Sequence, residues 1–305
     1  MFDLANTQVL HIEPTTVCQA ACPQCDRENS LLYTDSKHRS ELSLAQVQSI
    51  ISQEVASRLD KVFMCGVFGD PAAGKETMQI LQWFRSVNPT VTLGINSNGG
   101  LKNTIWWQQL GELFNQPYDY VVFSIDGLED TNHLYRKNVN WQKLLKNVDA
   151  FIQTGASAHW DMLVFEHNKH QVESAQQFAK QLGFNWFRCK VSSRFYDKPV
   201  EGLHPPAGAT PPKVENPARI DCHALNEKSM YISASGELLP CCWIGSRIFN
   251  RDIVLDQALQ TDKFAGVCAS WDTDNPLPIC KKACGVDNDN QIVFEQQFVK
   301  QIQLK

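Results

Sequence analysis

The chain has 305 residues, of which 43% are hydrophobic and 20% charged, with a formal net charge of −5. This composition is typical of a folded globular protein and excludes fibrous and intrinsically disordered classes. The negative net charge argues against bulk electrostatic binding of nucleic acid. No apolar run approaches about 18 residues and no signal-peptide pattern is present, so no membrane partner is expected and a cytoplasmic location is predicted.

The first two thirds of the chain alternate short apolar runs with segments of helical periodicity. Strands are predicted at 8–13, 61–65, 90–95, 118–126, 159–165 and 186–191. The first of the intervening helices is predicted over 42–59, with Ser43 as its cap. Continuous apolar strands alternating with helices are typical of a parallel sheet covered by helices. The pattern therefore predicts an α/β fold, either a partial (β/α)6 TIM-like barrel or an open doubly wound sheet, with ligands at the carboxyl ends of the strands.

The character of the sequence changes near Tyr196. Residues 196–219 are rich in proline and lack periodicity, which indicates a linker. The predicted division is a barrel domain at 1–195, the linker, and a small cysteine-rich domain at 220–305. This last part contains short strands around MYISASGELLPCCW and a polar tail that is predicted to be helical.

Cysteine is the most unusual component of the composition. An odd total of 11, without a secretion signal, favours metal binding or thiol chemistry over a disulfide framework. The cysteines form one group near the start and one near the end, and only Cys65 and Cys189 stand alone. Because free cysteine is commonly a small buried hydrophobe, we expect these two in the core.

The first group has the pattern C-x3-C-x2-C, formed by Cys18, Cys22 and Cys25 directly after the first predicted strand. Three thiolates on one loop can face a common centre, but they do not complete a metal site. One interpretation is a structural zinc site with His11 or Cys65 as the fourth ligand. The other is a four-iron cluster with one iron open, since a vacant coordination position distinguishes catalytic from structural metal sites.

The position of this motif after the first strand of a βα repeat resembles the radical S-adenosylmethionine (radical SAM) superfamily. The resemblance implies that the three cysteines hold a [4Fe–4S] cluster whose fourth iron takes the amino and carboxylate groups of SAM. It also implies cleavage of SAM to a 5′-deoxyadenosyl radical that abstracts a substrate hydrogen, and a reductant such as flavodoxin or ferredoxin. The residue before the third cysteine commonly contacts adenine as an aromatic side chain in this family, and here it is Gln24.

Further motifs follow the later strands in the order that the resemblance implies. CGVFGDP resembles the G-G-E-P-like turn that holds the methionine amino group, with Asp70 in place of glutamate. NSNGG, SIDG and FEHN follow the third, fourth and fifth predicted strands. The resemblance thus predicts SAM contacts at Gly69, Asp70, Pro71, Ser97, Asn98, Ser124, Asp126 and Asn168. Ordinary turn chemistry is the alternative for the Asn and Ser residues.

The stretch FGDPAAGKET offers a rival interpretation, because its G-x-x-x-x-G-K spacing is that of a phosphate-binding P-loop. Glu76 occupies the position of the required hydroxyl, Asp70 adds negative charge, and Pro71 removes an N–H donor. A nucleotide triphosphatase is therefore disfavoured.

The second cysteine group resembles the SPASM/twitch extension that follows many radical SAM barrels. Its C-x13-G-x4-C pattern begins at Cys222, and the resemblance implies an auxiliary [4Fe–4S] cluster held by Cys222, Cys241, Cys280 and Cys284. On an extended strand Cys242 would point away from Cys241, so a structural role is expected for Cys242. Cys268 is left open as a replacement ligand or as part of a second cluster. Six cysteines favour the single-cluster twitch form, and a zinc ribbon is the competing interpretation.

The resemblance predicts an enzyme that oxidatively modifies a small molecule or peptide, with the auxiliary cluster as electron acceptor. The alternative is a zinc-stabilised binding module in which both cysteine groups are structural. Arg136 follows the SIDG turn and could pair with a carboxylate of SAM or substrate, although a solvated arginine at a helix end is the simpler interpretation.

Overall fold

The computed structural model describes residues 2–29, 39–195, 199–208, 219–249, 263–273, 276–286 and 300–305. Six strands follow one another in the first two thirds of the chain: β1 (Val9–Ile12), β2 (Lys61–Cys65), β3 (Thr92–Ser97), β4 (Tyr120–Ser124), β5 (Ala158–Val164) and β6 (Trp186–Val191). They pair in chain order, and every pair is parallel. The α/β fold with a parallel sheet, consistent with a partial TIM-like barrel, is confirmed.

Helices connect these strands and cover the outer face of the sheet: α1 (Leu44–Ile50), α2 (Gln53–Ser57), α3 (Thr77–Val87), α4 (Thr104–Leu113), α5 (Glu129–Tyr135), α6 (Trp141–Ile152) and α7 (Val172–Leu182). Their apolar faces bury the outward side chains of the strands, such as Leu10, Val62 and Leu93, in one core. None of the described helices combines the length and the apolar character needed to span a bilayer.

The single helix predicted over 42–59 is wrong, because the segment forms α1 and α2. Ser43 caps α1 as predicted, in a capping box with Gln46. Ile51 then adopts an extended conformation, and the side chain of Ser52 accepts the N–H of Val55 to begin α2. A serine hydroxyl that caps a new helix competes with continuation of the old one.

The C-terminal third adds five strands and four helices among its described residues. The strands are β7 (Arg219–Ile220), β8 (Ser229–Ile232), β9 (Leu238–Leu239), β10 (Gly285–Val286) and, at the end of the chain, β11 (Lys300–Gln303). The helices are α8 (His223–Asn226), α9 (Cys242–Phe249), α10 (Lys263–Ala269) and α11 (Pro278–Cys284). β8 runs parallel to β1, β9 runs antiparallel to β8, and β11 runs antiparallel to β6. The described sheet therefore has the order β11-β6-β5-β4-β3-β2-β1-β8-β9, while β7 and β10 form a separate pair.

The order of the strands bears on the predicted domain boundaries at 195 and 220. The C-terminal part has a small apolar cluster of its own around Ile244, Val267 and Ile279, but its strands extend both edges of the barrel sheet. The helical tail is wrong for Lys300–Gln303, which forms a strand because the free edge of β6 offers unpaired backbone groups. Residues 287–299 of that tail and most of the predicted linker lie outside the described residues.

The face of the sheet that points away from the helices is polar and partly exposed. Side chains alternate between the two faces of a strand, so neighbours in register share a face. His11, Phe63 and Gly94 lie side by side on this concave face, and Ser124, Asp161 and Arg188 lie side by side farther along it. Most of these side chains are only half-buried, which leaves room for a ligand.

Candidate cluster and cofactor site

The loop that follows β1 carries Cys18, Cys22 and Cys25, at the carboxyl end of the sheet. The N–H of Cys25 donates to the carbonyl of Cys22 at 2.9 Å, which closes a tight turn. Two side chains donate to the thiols: Nδ2 of Asn98 lies 3.6 Å from Sγ of Cys18, and Nη1 of Arg136 lies 3.8 Å from Sγ of Cys22. Such donors stabilise thiolates, so the loop fits a group that is ligated by cysteine sulfur.

Burial opposes ionisation of these thiols. It raises the pKa of Cys18, with Asp70 adding to the effect, and it raises the pKa of Cys22 to about 11 although Arg136 acts in the opposite direction. A thiol must lose its proton to bind a metal, so a metal group bound here would have to supply the free energy that ionises Cys18 and Cys22.

Among the described residues, no three His, Cys, Asp or Glu side chains are arranged to hold a single metal ion. In a four-iron cluster each thiolate binds a different iron, so the sulfur atoms lie farther apart than the ligands of one ion. The three cysteines share a loop and a set of donors, and their role as cluster ligands stays a prediction.

The turn after β2 packs directly against the cysteine loop. The N–H of Asp70 donates to the carbonyl of Val17 at 2.9 Å. A Cβ at Gly69 would overlap the carbonyl of Thr15, so only glycine allows this approach. The predicted turn at Gly69, Asp70 and Pro71 therefore stands next to the cysteines.

The carboxylate of Asp70 joins this turn to the end of β3. One oxygen accepts hydrogen bonds from Oγ of Ser97 at 2.8 Å and from the N–H of Ala72 at 2.9 Å. The other accepts from the backbone N–H of Asn98 at 2.8 Å and from its Nδ2 at 2.6 Å. All four lone-pair positions are occupied, so Asp70 positions the two turns, and backbone carbonyls are the acceptors left for an ammonium group here.

Asn98 connects the two turns with the cysteine loop through hydrogen bonds. Its Oδ1 accepts from Nε2 of Gln19 at 2.6 Å and from the N–H of Gly100 at 2.9 Å. Its Nδ2 faces both Asp70 and Cys18. Asn98 is thus buried between predicted cluster ligands and the predicted methionine-binding turn.

Asp126 and Asn168 are buried completely and bonded within the protein. Asp126 accepts from Nε of Arg136 and from the N–H of Leu163, both at 2.6 Å. Nδ2 of Asn168 donates to the carbonyls of Asp126 and Leu163 at 3.0 and 2.9 Å, and its Oδ1 accepts from the N–H of Phe165 at 2.7 Å. Asn168 therefore shapes the loops after β4 and β5, and its amide offers no free atom to a cofactor.

Arg136 is not the solvated helix-end residue of the simpler interpretation. Its guanidinium pairs with Asp126 and also reaches Cys22. The partly buried ion pair raises the pKa of Arg136, so a permanent positive charge stands beside the cysteine loop. This charge offsets that of the thiolates.

Ser124 ends β4 on the concave face, half-buried, and its hydroxyl has no hydrogen bond to the described residues. Gln24 occupies the position where the family commonly has an aromatic residue. Its side chain is fully buried and accepts from Oγ of Ser192 at 3.0 Å, so it ties the cysteine loop to the end of β6.

Glu13, which the motif analysis missed, bridges the turn after β2 and the C-terminal part. One carboxylate oxygen accepts from the N–H groups of Phe68 and Gly69 at 2.7 and 3.1 Å, and the other accepts from the hydroxyl of Tyr231 on β8. Burial raises the pKa of Glu13, and these hydrogen bonds oppose the rise. The available signal was a carboxylate directly after a buried apolar strand, QVLHIE.

His11 and Cys65 are the two candidates for the fourth ligand of a structural zinc site. Nε2 of His11 lies 2.7 Å from the carbonyl of Cys65 and must donate to it, so this nitrogen carries a proton and is not available to a metal. Burial lowers the pKa of His11 to about 4. Cys65 is half-buried on the concave face, so its prediction as a core residue is wrong, whereas the burial of Cys189 is confirmed.

The cysteines of the second group are also brought together by the fold. Four cysteines line one otherwise apolar pocket, and these are the four predicted ligands Cys222, Cys241, Cys280 and Cys284. A hydrogen bond between the thiols of Cys222 and Cys284 lowers the pKa of Cys222 to about 6. The indole N–H of Trp271 is buried in the same pocket without a hydrogen-bond partner of ordinary geometry, and it faces Cys280. A set of four thiols with an unused donor suits a sulfur-ligated metal group.

Cys242 and Cys268 do not line this pocket. Cys242 is the first residue of α9 and not part of an extended strand, so the argument from strand alternation does not apply to it. It faces Cys65 and Glu13, on the side of the barrel. Cys268 lies on α10, close enough to Cys280 to raise the pKa of that thiol.

Comparison with known proteins agrees with this site. The radical SAM superfamily profile matches residues 12–179, which is more than half of the chain and includes the cysteine loop and the turns after β2 to β5. The chain therefore belongs to the radical SAM superfamily. Membership implies a [4Fe–4S] cluster, SAM and a reductant.

Solved structures show the same fold. SuiB of Streptococcus suis bound to its precursor peptide SuiA superposes with a TM-score of 0.57 and 15% identity, over 82% of this chain and 62% of that chain. A second SuiB structure gives 0.54 and 15%, over 90% and 67%. SuiB bound to S-adenosylmethionine gives 0.52 and 15%, over 78% and 59%. The chain thus spans about 62% of the length of the first SuiB structure. A sequence comparison with curated proteins found no significant match.

Proposed function

We propose that the protein cleaves SAM reductively and abstracts a hydrogen atom from a small molecule or peptide, for a net oxidative modification. The observation that carries the proposal is the chain of hydrogen bonds from Cys18 through Asn98 to Asp70. It links a predicted cluster ligand to the predicted methionine-binding turn, and the three residues come from three different strand ends.

Each part of the site has a role in this proposal. Cys18, Cys22 and Cys25 would hold the [4Fe–4S] cluster, whose chemistry when reduced would be to give SAM the electron that cleaves it to the 5′-deoxyadenosyl radical. Asp70 and Glu13 shape the turn at Phe68 and Gly69, whose carbonyl groups accept the methionine ammonium. Ser124 faces the same cavity with a free hydroxyl and is placed to contact SAM, while Asp126 and Asn168 keep the loop geometry.

The C-terminal pocket holds the auxiliary [4Fe–4S] cluster of a twitch-type domain, with the four pocket cysteines as ligands. Its chemistry would be to accept the electron that remains on the substrate after hydrogen abstraction. Because four thiolates occupy every iron, substrate has no open position there. SuiB, which has this fold, was crystallised with a precursor peptide. This supports a peptide as one candidate substrate, and a flavodoxin or ferredoxin is the proposed reductant.

Anaerobic reconstitution tests the proposal. We expect about eight irons per chain, two four-iron clusters, and release of 5′-deoxyadenosine from SAM after reduction with dithionite. The Cys18→Ala/Cys22→Ala/Cys25→Ala variant should lose SAM cleavage and about half of the iron.

The Cys280→Ala/Cys284→Ala variant is the matched control, because it should lose the second half of the iron and keep uncoupled SAM cleavage. SAM cleavage by the first triple variant would refute the site assignment. One zinc per chain in place of the second cluster would refute the auxiliary cluster and favour a zinc ribbon.

A further inference from the structure

The concave face of the sheet carries more positive than negative charge, although the chain as a whole has a net charge of −5. Lys61 on β2, Arg188 and Lys190 on β6, and Arg194 just after β6 all face this side. Asp161 on β5 and Glu13 just after β1 are carboxylates on this side of the sheet, and the oxygens of Glu13 are already bonded to Tyr231 and to two backbone N–H groups. The excess of cations is therefore local and belongs to the cavity.

Arg188 and Asp161 form the floor of this charged region. Nε of Arg188 donates to Oδ1 of Asp161 at 2.9 Å, and a second guanidinium nitrogen bonds the other oxygen. The charges of Arg188 and Asp161 balance each other, but the side chain of Arg188 is still 42% exposed. Its remaining N–H groups can donate to a further anion.

Lys190 stands two residues farther toward the carboxyl end of β6, on the same face as Arg188. Its side chain reaches the opening and is exposed to water. Its charge acts on Cys65 of β2 and on Arg194, and the charge of Asp161 on β5 favours its protonated form. No salt bridge joins Lys190 to a carboxylate of the described residues, because Asp161 pairs with Arg188, so its ammonium group can pair with a further anion.

Arg194 and Lys61 extend the positive charge in both directions. Nη1 of Arg194 donates to the carbonyl of Gln24 at 3.3 Å, beside the cysteine loop. At the opposite end the ammonium of Lys61 lies 4.9 and 5.2 Å from the ring centroids of Tyr120 and Phe63, in cation–π contacts and without an ion pair to the described residues. A positive cavity with half-buried walls concentrates anions.

We propose that the cavity binds its substrate through a carboxylate, with Lys190 as the principal contact and Arg188 as the second. The inference rests on the proposed function for its location, because the cavity opens toward the cysteine loop where a substrate hydrogen would be abstracted. Two sources share this chemistry: a free carboxylic acid, and an acidic side chain of a peptide.

The test measures binding without turnover, on the full chain reconstituted with iron and SAM under anaerobic conditions. The probe is a fluorescein-labelled Gly-Glu-Gly-Glu-Gly peptide, compared by fluorescence anisotropy with its Gln and Lys counterparts. We expect the Glu peptide to bind about tenfold more tightly than the Gln peptide at low salt, with the difference decreasing as salt rises. Unlabelled glutarate is then added as a competitor of the labelled Glu peptide. If glutarate displaces the peptide at a concentration similar to that of the unlabelled Glu peptide, a free carboxylic acid is a sufficient ligand. If glutarate does not displace it, the carboxylate belongs to a peptide.

Variants assign the effect to Lys190. Lys190→Ala should remove the preference for Glu over Gln, Lys190→Arg should keep it, and Lys190→Glu should reverse it in favour of the Lys peptide. Asp161→Asn should strengthen binding of the Glu peptide, because it frees the guanidinium of Arg188. Lys146→Ala on the outer face of α6 is the matched control and should change nothing.

Equal binding of the Glu and Gln peptides by the wild type would overturn the proposal. So would a Lys190→Ala variant that keeps the preference, or one whose only defect is weaker SAM binding, since Lys190 would then serve the cofactor. The two proposals fail separately. SAM cleavage without a preference for Glu refutes only the carboxylate site, and a preference for Glu without SAM cleavage refutes only the proposed reaction.

Discussion

Asp70 illustrates how one side chain can organise a site that it need not contact. Its carboxylate is buried and accepts four hydrogen bonds, two from the β2 turn and Ser97 and two from Asn98. The resemblance to a G-G-E-P-like turn located this residue correctly beside the cysteine loop. It did not reveal that the oxygens are occupied, because a motif carries no information on which partners reach a side chain.

Asp70→Asn should disrupt this arrangement while leaving the shape of the side chain unchanged. An amide provides one acceptor oxygen in place of two, so two donors lose their partner at a cost of about 1–3 kcal/mol each at most. We expect SAM affinity to fall by about tenfold or more with a smaller loss of iron, measured by equilibrium binding to the reconstituted protein. Asp60→Asn, at an exposed position, is the control. Wild-type affinity in Asp70→Asn would contradict the role of Asp70.

The cysteines of the C-terminal pocket should differ in reactivity when no metal is bound. The pKa of Cys222 is lowered to about 6 by its hydrogen bond with Cys284, whereas burial raises the pKa of Cys241 to about 11. Cys222 therefore loses its proton more readily than Cys241, and the thiolate is the nucleophile.

We expect iodoacetamide to alkylate Cys222 of the metal-free protein at least about tenfold faster than Cys241 at pH 7, by peptide mapping in a mass spectrometer. The preference should diminish at pH 5, because Cys222 becomes protonated as the pH falls below its pKa. Equal rates at pH 7 would argue against the contact between Cys222 and Cys284.

At the scale of elements, β8 connects the C-terminal part to the side of the barrel that carries the predicted SAM-binding turn. Tyr231 on β8 packs edge-on against His11, with ring centroids 5.0 Å apart, and donates its hydroxyl to Glu13. On its other side a Cβ at Gly245 of α9 would lie 2.6 Å from the ring, so only glycine lets that helix approach. Glu13 then carries the connection to Phe68 and Gly69 in the turn after β2.

Tyr231→Phe should weaken SAM binding without affecting the chemical step. The variant keeps the ring and removes one hydrogen bond to a buried carboxyl, which costs about 0.5–3 kcal/mol and loosens the turn that Glu13 holds. We expect KM for SAM to rise by several-fold with kcat for 5′-deoxyadenosine release unchanged. Tyr118→Phe, where the side chain is 79% exposed, is the control. An unchanged KM would show that β8 supports the fold alone.

The whole molecule is organised by a sheet that joins the beginning and the end of the chain. β1 pairs with β8 and β6 pairs with β11, so both edges of the parallel barrel strands are covered by C-terminal strands. An uncovered edge exposes unpaired backbone groups and is prone to association. Among the described C-terminal residues, β8 and β11 therefore complete the barrel sheet, so we expect the barrel to depend on them.

A fragment of residues 1–195 should accordingly aggregate, while the full chain remains monodisperse in size-exclusion chromatography. Deletion of residues 300–305 alone exposes only the β6 edge and should give an intermediate result, with a lower midpoint of thermal unfolding. A monodisperse and folded 1–195 fragment would instead support two independent domains with the boundary at 195.

The sequence by itself determined the βα repeat, the parallel strands, the cysteine loop after the first strand and the order of the turns that follow it. These features are local: hydrophobic periodicity, a helix cap such as Ser43 and a motif such as C-x3-C-x2-C depend on neighbours within a few residues. The four C-terminal cysteines that share a pocket were predicted by the resemblance of their pattern to a twitch extension.

Only the tertiary structure decided what pairs across long distances. The bond between Tyr231 and Glu13 joins residues 218 positions apart, and the pairing of β11 with β6 overrode the predicted helical tail. The cations of the cavity come from β2, from β6 and from the turn after β6, and the carboxylate that pairs with Arg188 comes from β5. Such contacts depend on which faces the folded sheet turns toward each other, and a linear pattern does not encode that geometry until the strands are in register.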